Sequence, residues 1–128
     1  MNLLLDTHVF LWLLFDDAQL GSSQRELLKD PTNKKFMSAV SIFEIATKAR
    51  IGKLTLPPLY AGRLSEIYSD FDYQPLAVSV FHAEMAGNLP GIHKDPFDRL
   101  LAAQSIVENM PIMTVDAKLR ELGADVVW

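Results

Sequence analysis

The sequence of 128 residues contains no cysteine, which excludes disulfide bonds, thiolate metal sites and a cysteine nucleophile. It also lacks a long apolar run, because the stretch from Val9 to Phe15 is far short of the roughly 20 residues that span a bilayer. No basic segment precedes that stretch, as a secretory leader would require. We therefore expect a cytoplasmic protein that does not enter a membrane.

An excess of positive charge is absent as well. The formal net charge is −4, whereas a protein that coats nucleic acid is usually basic, so any contact with nucleic acid has to come from a local site. Hydrophobic residues make up 49% and charged residues 22%, an ordinary globular balance. Length and composition together predict one domain over residues 1–128.

Several familiar motifs are missing too. The sequence has no GxGxxG, GxxxxGK[ST] or GxSxG, so a dinucleotide site, a P-loop and a serine nucleophile elbow are unsupported. The histidines His8, His82 and His93 are too scattered for a zinc motif such as HExxH.

What the chain does have is an alternation of short apolar segments with helical patterns, which is typical of βαβ units and a mostly parallel sheet covered on both faces. The fold class we predict is α/β, with helices on either side of the sheet. We expect Ser22 or Ser23 to cap the second helix. Strands are predicted over 3–5, 35–38, 76–80, 111–115 and 125–128, and helices over 8–15, 22–29, 40–50, from the LPPL turn at 56–59 to about 71, from 80 through 86, 96–108 and 117–122.

Four acids are placed so that their side chains can project towards the carboxyl edge of this sheet. In an open α/β sheet the working crevice lies outside the carboxyl ends of the strands. If the strands are neighbours, the four carboxylates converge and need a counter-cation, since close like charges raise each other's pKa. Oxygen ligands favour Mg²⁺ or Mn²⁺, which promote phosphodiester hydrolysis. The acids are Asp6 after LLL, Glu44 in the helix after KFMS, Asp98 in the first turn of the helix before the next strand, and Asp116 after MPIMTV.

Each acid also has an ordinary structural interpretation. Asp95 and Asp98 flank Pro96 as a helix cap and a first-turn acid. Ser41 and Glu44 match a capping box, and Glu44 with Lys48 is an i,i+4 pair. The remaining two acids precede predicted helices and are placed to cap them: Asp6 and Asp116.

Four motifs taken together resemble the PIN-domain ribonucleases, and the closest match is to VapC-type toxins of bacterial type II toxin–antitoxin systems. They are LLDTH at 4–8, SAVSIFEIATKARIGKL at 38–54, HKDPFDRLLAAQS at 93–105 and TVD at 114–116, and the ending ADVVW is also similar to that subgroup. The resemblance covers nearly the whole chain. It implies a three-layer α/β/α fold with a mostly parallel sheet and an endoribonuclease that depends on Mg²⁺ or Mn²⁺.

The resemblance also assigns roles. It implies Asp6 and Asp98 as the principal metal ligands and Asp116 as a further ligand, directly or through water. Glu44 would orient or deprotonate the attacking water. Asp95 is then the helix cap, or a neighbour of the metal ligands.

Partners follow from the resemblance as well. It implies an RNA substrate, a homodimer and a cognate antitoxin that lays an amphipathic segment into a hydrophobic groove, with the HVFLWLLF helix as a wall of that groove. Arg99 is expected to pair with Asp95 or to face RNA. Basic residues near the crevice are candidates for RNA contact: Lys48, Arg50, Lys53, Lys94 and Arg99.

Three other classes of protein share the length or the acidic residues of this sequence. A phospho-acceptor receiver domain needs adjacent acids after the first strand and an acceptor aspartate after a central strand, and neither is present. A phosphohydrolase with an aspartate nucleophile needs DxD after the first strand, and position 8 is histidine. The alternative that remains is a catalytically idle PIN fold that binds protein.

Overall fold

The computed structural model describes residues 1–128, in which five parallel strands form one sheet. The strands are β1 (Asn2–Leu5), β2 (Lys34–Ser38), β3 (Gln74–Leu76), β4 (Ile112–Met113) and β5 (Val126–Val127). Their order in the sheet is β3-β2-β1-β4-β5. The central strand β1 pairs with β2 on one side, Leu4 opposite Phe36, and with β4 on the other, Leu4 opposite Ile112.

Helices connect the strands and cover both faces of the sheet, so the predicted three-layer α/β/α fold is confirmed. None of them combines the length and the apolarity that crossing a membrane requires. The helices are α1 (Thr7–Leu14), α2 (Ser22–Lys29), α3 (Ala39–Arg50), α4 (Ile67–Asp70), α5 (Val80–Asn88), α6 (Pro96–Val107) and α7 (Ala117–Glu121).

Two apolar cores lie on opposite faces of the sheet, because side chains of a strand alternate between its faces. Leu3 and Leu5 point into a core of 14 buried residues that includes Phe10 of α1. Leu4 points into a second core of nine buried residues that includes Leu101 of α6. Burial on both faces is what the uninterrupted LLL segment predicts.

Most predicted elements lie within two residues of the observed ones, but the segment between α3 and α5 differs. The single helix expected from the LPPL turn to about 71 is wrong. Two 3₁₀ turns, Pro58–Tyr60 and Leu64–Glu66, and the one-turn helix α4 stand in its place. Gly62 between the two turns has φ of 71°, a left-handed conformation that a continuous helix does not contain.

Two smaller predictions are also wrong. The third strand is Gln74–Leu76 rather than 76–80, because Ser79 caps α5 by accepting the N–H of His82. Neither Ser22 nor Ser23 caps α2, since Gly21 occupies the N-cap position and the helix begins at Ser22. In both cases the helix start decides where the preceding segment ends.

Candidate active site

The carboxyl edge of the sheet brings the predicted acids towards one another. Asp6 directly follows β1, and its N–H donates to the carbonyl of Met113 at the end of β4, at 3.1 Å. Asp116 follows β4 by three residues and is the N-cap residue of α7. Glu44 lies on α3, which leaves the end of β2, and Asp98 lies in the first turn of α6.

Asp6 is buried, with 6% of its surface exposed. It is the N-cap residue of α1, but its side chain forms no cap hydrogen bond. Instead its Oδ2 accepts a hydrogen bond of 2.7 Å from the hydroxyl of Thr114. Burial raises the pKa of Asp6, against the lowering effects of the Thr114 bond and of His8, and Glu44 raises it further. A buried carboxylate with one hydroxyl partner still has acceptor capacity to spare.

Asp98 and Asp95 have different roles. Oδ1 of Asp95 accepts the backbone N–H groups of Phe97 at 2.9 Å and of Asp98 at 3.3 Å, so Asp95 is the cap of α6, as predicted. The Asp98 carboxylate forms no hydrogen bond within the chain. The pKa of Asp98 is raised to about 6, chiefly by burial and then by the charges of Asp95, Asp116 and Asp6, while Lys118 lowers it. Three neighbouring carboxylates therefore act on Asp98 at this edge.

Glu44 and Asp116 each have a partner. The predicted i,i+4 pair is present, with Nζ of Lys48 at 2.9 Å from Oε2 of Glu44. The capping box with Ser41 is not, because Ser38 is the N-cap of α3 and accepts the N–H of Val40. Oδ1 of Asp116 accepts the N–H of Lys118 at 2.9 Å and thus caps α7, as predicted.

Three hydroxyl groups around the acids carry no signal in the sequence beyond their residue type. Thr7 donates to Ser41 at 2.8 Å, which ties the first turn of α1 to the first turn of α3. Thr114 joins Asp6 and Asp116, because it donates to the former and accepts the N–H of the latter at 3.0 Å. Thr114 belongs to the TVD motif, in which the sequence predicts only Asp116 as a site residue.

Arg99 neither pairs with Asp95 nor faces outward. Its guanidinium donates to the carbonyls of Ala86 and His93, each at 2.9 Å, and to that of Leu89. These contacts fasten the end of α5 and the following loop to α6, so its side chain has a structural role. The predicted pairing with Asp95 is therefore wrong, since the guanidinium donates to backbone carbonyls instead. Contact with RNA stays a prediction.

The donor set suits a hard divalent cation. No three side chains of His, Cys, Asp or Glu come close enough together to bind one ion by themselves. Mg²⁺, however, is commonly held by one or two carboxylates and several waters, so it does not require a cage of three. No ion pair joins Asp6, Asp98 or Asp116 to a basic side chain. Oxygen ligands without a cation of their own fit Mg²⁺ or Mn²⁺.

The largest concave surface lies elsewhere, in a cavity of about 710 Å³. It is lined by the end of α3 and by the segment from Gly52 to Ser65, and more than half of its lining residues are apolar. Helix α1 does not line it, and Val9, Phe10 and Leu11 of that helix are buried in the core. The interpretation of the HVFLWLLF helix as a groove wall therefore does not apply to this cavity.

Comparison with known proteins identifies the family. The PIN domain model matches residues 3–125, so the chain belongs to the PIN domain family, whose members are generally nucleases. No curated protein sequence matches the chain.

Solved structures of toxin–antitoxin complexes are similar in fold. VapBC2 from Rickettsia felis, bound to a DNA fragment from its promoter, contains a chain with 17% identity and a TM-score of 0.70, covering 100% of this chain and 99% of that one. VapBC-1 from nontypeable Haemophilus influenzae gives 16% identity, a TM-score of 0.70 and coverage of 99% and 97%. FitAB bound to an IR36 DNA fragment contains a chain with 19% identity and a TM-score of 0.71, and the match covers 98% of this chain and 93% of that one.

Proposed function

We propose that this chain is an endoribonuclease that depends on Mg²⁺ or Mn²⁺ and acts as the toxin of a type II toxin–antitoxin pair. The observation that carries the proposal is the group of Asp6, Asp98 and Asp116 at one edge of the sheet, with no basic side chain paired to any of them. Holding carboxylates close together costs stability, and the more so because Asp6 is buried and Asp98 half-buried. Such a group is typical of a site that a cation completes.

The four acids divide into two roles. Asp6 and Asp98 would hold the cation, because neither carboxylate caps a helix, and Asp116 would join them directly or through water. Bound there, the cation supplies neutralisation of charge at the phosphodiester and activation of water. Glu44 would orient the attacking water and accept its proton, with Lys48 holding the carboxylate in place at 2.9 Å.

The toxin role is supported by the fold rather than by the site. The solved structures similar to this chain are parts of toxin–antitoxin complexes, and they match it over almost their full length. We propose a cognate antitoxin and a homodimer on this ground. The apolar cavity between the end of α3 and the 52–65 segment offers a groove of the kind that an amphipathic segment fills.

Cleavage of a mixed pool of cellular RNA by the purified chain tests the activity. We expect discrete cuts with Mg²⁺ or Mn²⁺, none with a chelator, and none with Asp98→Asn. Asp95→Asn is the matched control, because asparagine also caps helices well and the neighbouring acid should be dispensable. Cuts that persist in Asp98→Asn and vanish in Asp95→Asn would transfer the ligand role to Asp95.

The toxin role has its own test. Expression of the active chain alone should slow growth of the host, and co-expression of the small gene that neighbours it should restore growth. Expression of Asp98→Asn should be harmless by itself. Unimpaired growth with a chain that cleaves RNA in vitro would leave a nuclease that is not a toxin.

A further inference from the structure

Both tryptophans of the chain lie together at the carboxyl edge of the sheet. The ring centroids of Trp12 and Trp128 are 5.9 Å apart at an interplanar angle of 68°. His8 lies one helical turn before Trp12, with its ring 6.3 Å away. We call His8, Trp12 and Trp128 the aromatic corner. Trp128 is 45% exposed, and His8 is exposed as well.

The backbone fixes the aromatic corner beside the acids. Trp128 directly follows β5, and the N–H of Thr114 donates to the carbonyl of Val127 at 3.2 Å. His8 stands two residues after Asp6, and its charge lowers the pKa of that acid. The aromatic corner and the candidate active site therefore lie at the same edge of the sheet.

A cavity of about 250 Å³ adjoins the corner. Trp128, Val115 and Val126 give it apolar walls, and Asp116 and Arg120 give it charged ones. Its volume is below the roughly 300–1,000 Å³ of pockets for drug-sized ligands, so it suits one small planar group. Arg120 is exposed and forms no ion pair within the chain.

We propose that the aromatic corner and this cavity bind one nucleotide of single-stranded RNA next to the cleaved bond, with the base against Trp128 and a phosphate at Arg120. The inference rests on the proposed function and names a specificity-determining part of the same site. Aromatic side chains stack on unpaired bases, and arginine binds phosphate through its planar set of donors. An apolar protein segment on Trp128 would leave Arg120 without a role, so the combination favours RNA.

Tryptophan fluorescence reports on this subsite directly, because the chain has no tryptophan outside the aromatic corner. The probe is a single-stranded oligonucleotide of about ten nucleotides, added with Mg²⁺ to the full chain carrying Asp98→Asn so that it stays intact. We expect saturable quenching. Trp128→Leu should weaken binding about tenfold, as loss of one stacked base does, and Trp128→Phe should retain most of it. Equal binding by the Leu and Phe variants would overturn the proposal.

The contact between Arg120 and phosphate is tested with the same binding assay. Arg120→Gln should weaken binding and reduce its dependence on salt, because one phosphate contact is lost. Lys29→Gln is the matched control, since Lys29 ends α2 ahead of β2, at the opposite edge of the sheet. An equal effect of both variants would indicate general charge attraction and contradict a phosphate site at Arg120.

Cleavage kinetics separate this inference from the proposed function. In the otherwise unaltered chain, Trp128→Leu should raise KM about tenfold, leave kcat nearly unchanged and alter the bases preferred at the cut. If the unaltered chain and Trp128→Leu cleave RNA with the same KM and the same preference for bases at the cut, the subsite alone is overturned. A chain that neither cleaves nor binds RNA would overturn the proposed function, and the subsite with it. Unchanged cleavage with weakened inhibition by the antitoxin would make the corner a protein contact and also overturn the subsite.

Discussion

The hydroxyl of Thr114 donates a hydrogen bond of 2.7 Å to Oδ2 of Asp6, and both side chains are buried. The hydroxyl oxygen of Thr114 also accepts the N–H of Asp116 at 3.0 Å. One hydroxyl thus connects the acid that follows β1 with the acid that follows β4. Its bond to Asp6 favours the charged carboxylate and opposes the effect of burial on the pKa.

Thr114→Val should therefore destabilise the protein by more than its small change in volume suggests. A buried carboxylate that loses its donor costs about 1–3 kcal/mol in free energy of unfolding. Urea unfolding of the metal-free protein near pH 7 measures this. Thr114→Ser retains the hydroxyl and is the matched control. A Val variant as stable as the unaltered protein would mean that the hydrogen bond to Asp6 contributes little.

Asp98 should make stability depend on pH. Its folded pKa of about 6 lies above its ordinary value of 3.8, so the folded state favours the protonated form. The resulting contribution to stability is fully present below about pH 4 and is lost as pH rises through about 6. Asp98→Asn cannot ionise and escapes this loss. Above pH 6 the metal-free variant should be more stable by an amount on the order of 1 kcal/mol, since Asp98 is only half-buried and solvent screens it.

Urea unfolding in the presence of a chelator, at about pH 4 and about pH 8, checks this expectation. The two proteins should coincide at the lower pH and separate at the higher one. A difference that stays constant between the two would trace to the amide itself and contradict the pKa assignment.

The end of β1 was predictable because its determinants are local. The LLL segment is apolar at successive positions, which indicates burial on both faces, and an acid after it has to lie at the carboxyl edge. The start of α6 was equally clear, because Asp95 and Pro96 form a cap and a first turn. The parallel direction of the strands followed from the alternation of strands and helices.

Contacts between distant residues were not predictable in this way. Thr114 and Asp6 are 108 residues apart, and nothing in either neighbourhood indicates their bond. The segment between α3 and β3 differs from its predicted helix for a related reason. Its helical pattern is interrupted by Gly62 in a left-handed conformation, which the sequence permits and only the packing of the 3₁₀ turns requires.

Arg99→Lys should destabilise the protein without weakening its contact with RNA. The guanidinium satisfies the carbonyls of Ala86, Leu89 and His93 together, and a lysine ammonium cannot reproduce that planar arrangement. We expect a loss of about 2 kcal/mol in free energy of unfolding, as for hydrogen bonds with a charged donor. The salt dependence of RNA binding should stay as in the unaltered chain. A reduced salt dependence with unchanged stability would restore Arg99 as an RNA contact.

Added Mn²⁺ should raise the thermal midpoint of the chain, because a cation that binds only the folded state stabilises it by mass action. At a concentration about 100 times the Kd the gain is about 2.7 kcal/mol. Asp6→Asn should abolish the gain and RNA cleavage together while the metal-free protein stays folded, since Asp6 caps no helix with its side chain. Asp95→Asn should keep the gain, since Asp95 serves as the cap of α6. A midpoint that does not change with Mn²⁺ in the unaltered chain would favour the catalytically idle PIN fold, because a fold without a metal site gains no stability from the cation.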